Sequence, residues 1–525
     1  MAAALIRDPE TFRSIYDEHG RGVYAAALRI LGDPAQAQDV MQDVFLKLWR
    51  NPDRLTGLDA SFLAFEEGGA HMHVGSVLLF EGDAPPYDEF VAQLESRLAL
   101  VPRYRQKLAF PPLVQSRPVW VDDPHFNAGY HVRHTALPAP GGEAELRRLA
   151  GRVFAQRLDR SKPLWELWLV DRVGDGRFAL IAKTHHCLVD GISGVDITTV
   201  LFDLEPDPPA PQPPDPWMPR PEPSPATLLA DAVTERAWTP LELARAAAGA
   251  VVHPQRALGA GVTAAAGLAS ITRAGLGGAP RSPLNGRIGP HRRFAWVDAE
   301  LATLKAIKDA LGGTVNDVVL AVVAGALRTY YLAHGWDTAD GLRAMVPVSV
   351  RADSERGALG NKVSTIYAPL PIDVADPIAR FRAVHEAMQG LKESGQAVGA
   401  EMITSLADFA PPTILAQAAR LQAVQRFFNL TVTNVPGPQF PLFLLGRRLC
   451  RVYPQVPLAE NCAVGVAIMS YDGQIDFGLT ADYDALSDLD ALAAALDAAI
   501  EELAAVAGVA QRDGRGRRPR PKQPA

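Results

Sequence analysis

The 525-residue sequence predicts an α+β protein of two lobes joined by a proline-rich and helical crossover. Three observations predict it. The chain is too long for one core of ordinary size. Residues 206–225, PDPPAPQPPDPWMPRPEPSP, are more than half proline and read as an extended connector. On both sides of that connector, apolar runs of strand length alternate with stretches of helical spacing.

Residues 1–53 form the first unit, a helical hairpin. Phe12, Ile15, Tyr16, Val23, Ala27, Ile30 and Leu31 make one stripe. The second helix starts at Asp33 as N-cap with Pro34 at its first position, and Val40, Val44, Phe45, Leu48 and Trp49 share a face. On these residues alone it is a packing or dimerisation element. The N-terminal lobe spans 54–205, with MHVGSVLLFEG (72–82) as a strand and 87–108 as an amphipathic helix. FALIAKTHHCLVDG (178–191) reads as a buried strand ending at a histidine pair. The connector and an Ala-rich helical crossover occupy 206–290. The C-terminal lobe, 291–508, opens with a strand and two helices over 292–335, then shows strand character at 342–352, 362–371, 429–435 and 462–482. Residues 509–525 are a basic tail expected to be disordered.

Composition narrows the function classes. Hydrophobic residues make up 48% and charged residues 21%, as in soluble globular proteins, and the net charge of −7 offers no overall footprint for nucleic acid. Cys187, Cys450 and Cys462 are odd in number and scattered, without zinc or disulfide spacing, which favours a reducing cytoplasmic setting. The N-terminus lacks an uninterrupted apolar core for secretion. DVVLAVVAGAL (317–327) has the length of a buried helix, so a membrane role would be peripheral.

The chemistry concentrates in KTHHCLVDGI (183–192). Adjacent side chains on an extended segment point to opposite faces, so His185 and His186 occupy different environments. The bland reading is a hydrogen-bonded core pair beside a turn. A metal held by His185, His186 and Asp190 is a second reading, opposed by the divergence of the pair. A Cys187 nucleophile is a third, with nothing nearby to depress its thiol pKa. The fourth is general-base catalysis, because an imidazole titrates near pH ~6.5 and can take a proton from a hydroxyl and return it to a leaving group. Asp190 and Gly191 suit a turn that places the base.

HHxxxDG resembles the signature of CoA-dependent acyltransferases with the chloramphenicol acetyltransferase-like fold. Companion stretches resemble the bacterial wax ester synthase/acyl-CoA:diacylglycerol acyltransferase family. They include LDASFLAFE (58–66), VPRYRQKL (101–108), KPLWELWLVDRV (162–173), TVNDVVLAVVAGALR (314–328), MVPVSVR (345–351), TNVPGP (433–438) and SYDGQIDFGLTAD (470–482). The similarity covers about residues 55–505. It implies two chloramphenicol acetyltransferase-like lobes, with His186 as base, His185 in support, Asp190 structuring the loop and Gly191 allowing the turn; the loop role of Asp190 assumes a basic partner, for which Arg351 is the candidate. Asn316 and Asn434 become candidate oxyanion donors and Asp317 an ordering residue. Pro163, Leu164 and Trp165 become packing or acyl-tunnel wall, and Asp476, Phe477 and Gly478 scaffold. The implied substrates are acyl-CoA and diacylglycerol or a long-chain alcohol, with no metal and no cofactor beyond acyl-CoA as substrate. The implied location is cytoplasmic, peripheral to the inner membrane or lipid droplets. Peptide-synthetase condensation domains share the fold and the motif and are the alternative.

Residues 12–52 resemble the start of the core helical domain of extracytoplasmic-function sigma factors. The promoter-melting helices of that family do not follow, since residue 55 begins a different pattern. Neither nucleic-acid binding nor polymerase contact is therefore expected, although an acyltransferase tethered through this hairpin is a further alternative.

Overall fold

A computed structural model describes residues 55, 57–66, 68–112, 117–189, 200–208, 217–230, 278–349, 363–393 and 427–509. The hairpin expected over 1–53, most of the crossover, the tail from 511, and Asp190, Gly191 and Arg351 lie outside them.

The first half runs α1 (Gly57–Phe65), β1 (His73–Glu81), α2 (Tyr87–Arg97), β2 (Gln106–Ala109), β3 (Val119–Asp122), β4 (Val132–Ala136), α3 (Glu143–Ala155), β5 (Trp165–Asp171), β6 (Arg177–His185) and the short α4 (His186–Val189). β6 lies between β1 and β5, antiparallel to both. Residues 178–182 of it are apolar without alternation because both of its faces are covered. Phe178, Leu180 and Ala182 pack with Leu78, Phe80 and Leu167 on one face. Ala179 and Ile181 pack with Leu146, Val153 and Phe154 on the other, under α3. The helix expected over 87–108 ends at Arg97. Two 3-10 turns, Leu98–Leu100 and Pro102–Arg105, follow it, and then β2 begins. Pro102 explains the break, since it lacks an N–H and forces the preceding residue out of the helical region.

The second half runs β7 (Arg292–Glu300), α5 (Leu301–Leu311), α6 (Val315–Ala333), β8 (Leu342–Ser349), β9 (Val363–Leu370), α7 (Pro377–Glu393), β10 (Leu430–Pro436), β11 (Phe443–Leu444), β12 (Arg447–Gln455), β13 (Val464–Tyr471), β14 (Gln474–Asp482) and α8 (Leu489–Val506). Helix α6 is long and apolar enough to cross a membrane by composition alone. Val318 through Leu327 are instead buried within the second core, so it is the central helix of a protein layer. A Thr314–Asp317 capping box starts it, satisfying two backbone donors that would otherwise be orphaned.

Among the described residues the strands form two six-stranded sheets, ordered β11-β12-β1-β6-β5-β4 and β7-β14-β13-β10-β8-β9, and a two-stranded sheet of β2 and β3. β11 and β12 come late in the chain yet complete the first sheet, with Ser76 opposite Pro454 and Val77 opposite Tyr453. The sheets meet where β12 crosses β14. A side chain at Gly478 would place its Cβ 1.7 Å from the Pro454 carbonyl oxygen, so only glycine permits this crossing. Beside it, fully buried Asp476 accepts from Arg451 Nη1 at 2.9 Å and from the Val452 N–H at 3.1 Å. Burial pushes its carboxyl up to about 7; Arg451 opposes that shift and Asp298, opposite on β7, adds to it. Residues 217–224 of the proline-rich connector are neither helix nor strand. They are held to the first lobe by Arg220, whose backbone N–H and guanidinium both reach Asp122.

Candidate active site

The histidine pair sits where β6 ends and α4 begins. Backbone bonds from both sides fix it: His185 N–H donates to Leu164 O at 2.9 Å, and His186 N–H to Met72 O at 2.8 Å. The two rings meet different neighbours, the first at the end of the strand and the second at the start of the helix. His185 is 1% exposed, whereas His186 is half-buried and stacks on Phe62 of α1 with ring centroids 4.0 Å apart. A single ion could not readily take both rings.

The tautomer of His185 follows from its contacts. The Cys187 N–H donates to Nδ1 at 3.2 Å, so Nδ1 is the acceptor, and Cys187 Sγ lies 2.9 Å from the same atom. In the neutral ring the proton is therefore on Nε2, which faces Glu66 Oε1 at 3.5 Å. His73 Nε2 approaches the same oxygen at 3.4 Å, and the Met72 N–H donates to it at 2.9 Å. The other carboxylate oxygen takes Arg160 Nη2 at 2.8 Å. Burial works against a charge on Glu66, but the contacts with His185, then His73 and Arg160, outweigh it and hold the carboxyl well below the usual range. Burial, with Lys183 nearby, keeps His73 neutral. Nothing in the sequence singles out Glu66. It stands beside Glu67 in FLAFEE, a pair that reads as a solvated helix end.

Cys187 is 2% exposed, and burial followed by Asp59 and Glu66 pushes its thiol well above the ordinary value. A thiol so placed is a poor nucleophile at neutral pH. Cys187→Ala, which keeps the backbone N–H to His185, is therefore expected to retain activity of the wild-type order in a thioester-consumption assay.

Pro163, Leu164 and Trp165 are buried at the start of β5. Leu164 anchors His185 through its carbonyl. Trp165 donates from Nε1 to Tyr104 O at 2.8 Å and stacks on His131, centroids 4.5 Å apart. Asp317 binds the Thr314 N–H and His385 Nδ1 at 2.8 and 2.9 Å, at the start of α6. Asn316 precedes it, half-buried, and Asn434 lies on β10 in register with Ile468 of β13. These three residues belong to the second sheet and its helices, and the described contacts of Asp317 are with its own helix start and α7. The described contacts of His186 are with Phe62 of α1 and the Met72 carbonyl before β1.

The same chain matches the wax ester synthase/diacylglycerol acyltransferase catalytic domain over residues 55–319 and the family's C-terminal domain over 359–504. A probable diacylglycerol O-acyltransferase of Mycobacterium tuberculosis (strain CDC 1551 / Oshkosh) is 33% identical over 468 residues, covering 86% of this chain and 96% of that protein. The chain belongs to the wax ester synthase/diacylglycerol acyltransferase family. A second probable diacylglycerol O-acyltransferase of that strain is 32% identical over 464 residues, covering 86% and 98% of the two chains. Among solved structures, the wax ester synthase/diacylglycerol acyltransferase of Marinobacter aquaeolei VT8 aligns with a TM-score of 0.61 at 30% identity, over 87% of this chain and all of that one. The starter condensation domain of rhizomide synthetase aligns with a TM-score of 0.51 at 16% identity, over 87% of this chain and 94% of that one. That likeness shows the shared fold. Residues 15–65 also match sigma-70 region 2, overlapping the first residues of the catalytic domain. The Glu66–His185 contact and the backbone anchors at Leu164 and Met72 hold the His185–His186 pair.

Proposed function

We propose that this enzyme moves a long-chain acyl group from acyl-CoA to diacylglycerol, and to long-chain alcohols, with His186 as general base. The observation that carries this reading is the pair's asymmetry. His185 is sealed among Glu66, His73 and Cys187, while the His186 ring is half-buried against Phe62. His186 would take the acceptor's hydroxyl proton as its oxygen attacks the thioester carbonyl. The tetrahedral oxyanion then collapses, expelling the thiolate of CoA, which the imidazolium protonates. Atoms balance without a covalent enzyme intermediate. Holding both substrates together replaces a bimolecular encounter by a local one. Asn316 and Asn434 carry side-chain amide donors of the kind an oxyanion needs, and Asp190 with Gly191 would shape the loop behind the base, Asp190 paired to Arg351.

The test is an acceptor panel. With labelled palmitoyl-CoA, we expect triacylglycerol from diacylglycerol and wax ester from hexadecanol, and no amide from an amine acceptor. Amide formation in place of ester would favour condensation-type chemistry.

We further propose peripheral attachment to the inner membrane and lipid droplets. Water-insoluble acceptors support it, as do Arg512, Arg515, Arg517, Arg518, Arg520 and Lys522 in the tail, against Asp513. Each basic residue near an anionic surface contributes about 1 kcal/mol. Deleting residues 511–525 should reduce sedimentation with phosphatidylserine vesicles at low salt. Unchanged sedimentation would remove the tail from the account.

A further inference from the structure

Four contacts converge on one half-buried ion pair, in which the Glu66 side chain is 4% and the Arg160 side chain 38% exposed. Glu66 Oε1 accepts from the Met72 N–H, and the carbonyl of that same residue holds the His186 N–H. The same oxygen faces Nε2 of both His185 and His73. Arg160 Nη2 binds Glu66 Oε2 at 2.8 Å and also donates to Leu63 O at 2.9 Å. Leu63 lies next to Phe62, the residue whose ring stacks on His186. Arg160 itself lies midway along the segment between α3 and β5, which also carries Leu164, whose carbonyl anchors His185. The base is thus gripped through its backbone, through its histidine neighbour and through the ring it stacks on, and all three grips pass through this pair.

We propose that Glu66 and Arg160 are positioning residues for His186. The proposal rests on His186 being the base. Neither side chain needs to touch substrate. Their task is to hold the imidazole in reach of the acceptor hydroxyl, where a displacement of 1 Å can cost about 10²-fold in rate. The carboxylate adds an electrostatic part. A negative charge held on Glu66, 3.5 Å from the neighbouring His185 ring, would favour the imidazolium that forms on His186 during proton transfer, so its removal would make protonation of the base harder. The pair is poorly replaced by a purely structural contact, since Glu66 must accept on both oxygens at once, and a glutamine there would present one donor to a neighbour that also donates.

The test uses the full-length enzyme with palmitoyl-CoA and diacylglycerol. Glu66→Gln and Arg160→Met should each lower kcat about 10- to 100-fold, with KM for both substrates nearly unchanged. The double variant should be little worse than the poorer single one, because the two act as a unit. In Glu66→Gln the acid limb of the kcat/KM profile should move to lower pH. Glu66→Asp should recover part of kcat and the wild-type limb. Wild-type kcat in Glu66→Gln would overturn the proposal. So would a loss that only tracks the folded fraction, measured by circular dichroism, with the pH profile unmoved. If His186→Ala were as active as wild type, the base assignment would fall, whatever the Glu66 variants did.

Discussion

His186→Ala should lower kcat/KM for ester formation by about 10²–10⁴-fold, the usual cost of losing a general base. His185→Ala should leave measurable activity. The two neighbours differ because one ring is half-buried on Phe62 and the other is enclosed by Glu66, His73 and Cys187. Removing His185 vacates a supported position and leaves Glu66 with Arg160, the Met72 N–H and His73. Removing His186 takes away the only proton acceptor that the mechanism assigns. Steady-state rates on both folded variants check this. Equal rates for wild type and His186→Ala would end the general-base account.

Glu166→Ala should cost about 3–5 kcal/mol of stability, because it leaves the Lys183 ammonium buried without its counter-ion. The Lys183 side chain has no exposure and donates to Val153 O and Gln156 O at 2.8 and 2.9 Å while ion-paired to Glu166. Burial already lowers the lysine's pKa, and Glu166 is what opposes that shift. Without the glutamate, the ammonium keeps only two carbonyls. The denaturation midpoint of Glu166→Ala reads the effect. Lys183→Met with Glu166→Leu should recover much of the loss, since an apolar pair avoids the desolvation cost of both charges. If the single variant unfolded at the wild-type midpoint, the ion pair would have no net stabilising role.

Local features are legible because they are written locally. The apolar run 178–182 announces a strand covered on both faces. What the sequence hides is whatever depends on remote pairing. Glu66 gains its meaning from Arg160 and His185, which are far away in sequence and carry no shared spacing. Likewise RRLCRVYPQ does not say which sheet it will join. The amphipathic pattern of 87–108 reads as one helix because its apolar spacing persists past Pro102, where backbone chemistry overrides side-chain periodicity.

The late strand at 447–455 has a consequence for synthesis. At about 5–20 residues per second, a ribosome needs on the order of tens of seconds to go from the end of β1 to the end of β12. Throughout that interval the flank of β1 that will receive Val77's partner Tyr453 has no native neighbour. An apolar strand edge left open is a template for pairing with another chain. Nascent copies on one polysome would therefore be most at risk of cross-association before Gln455 emerges, and chaperone demand should fall sharply once it has.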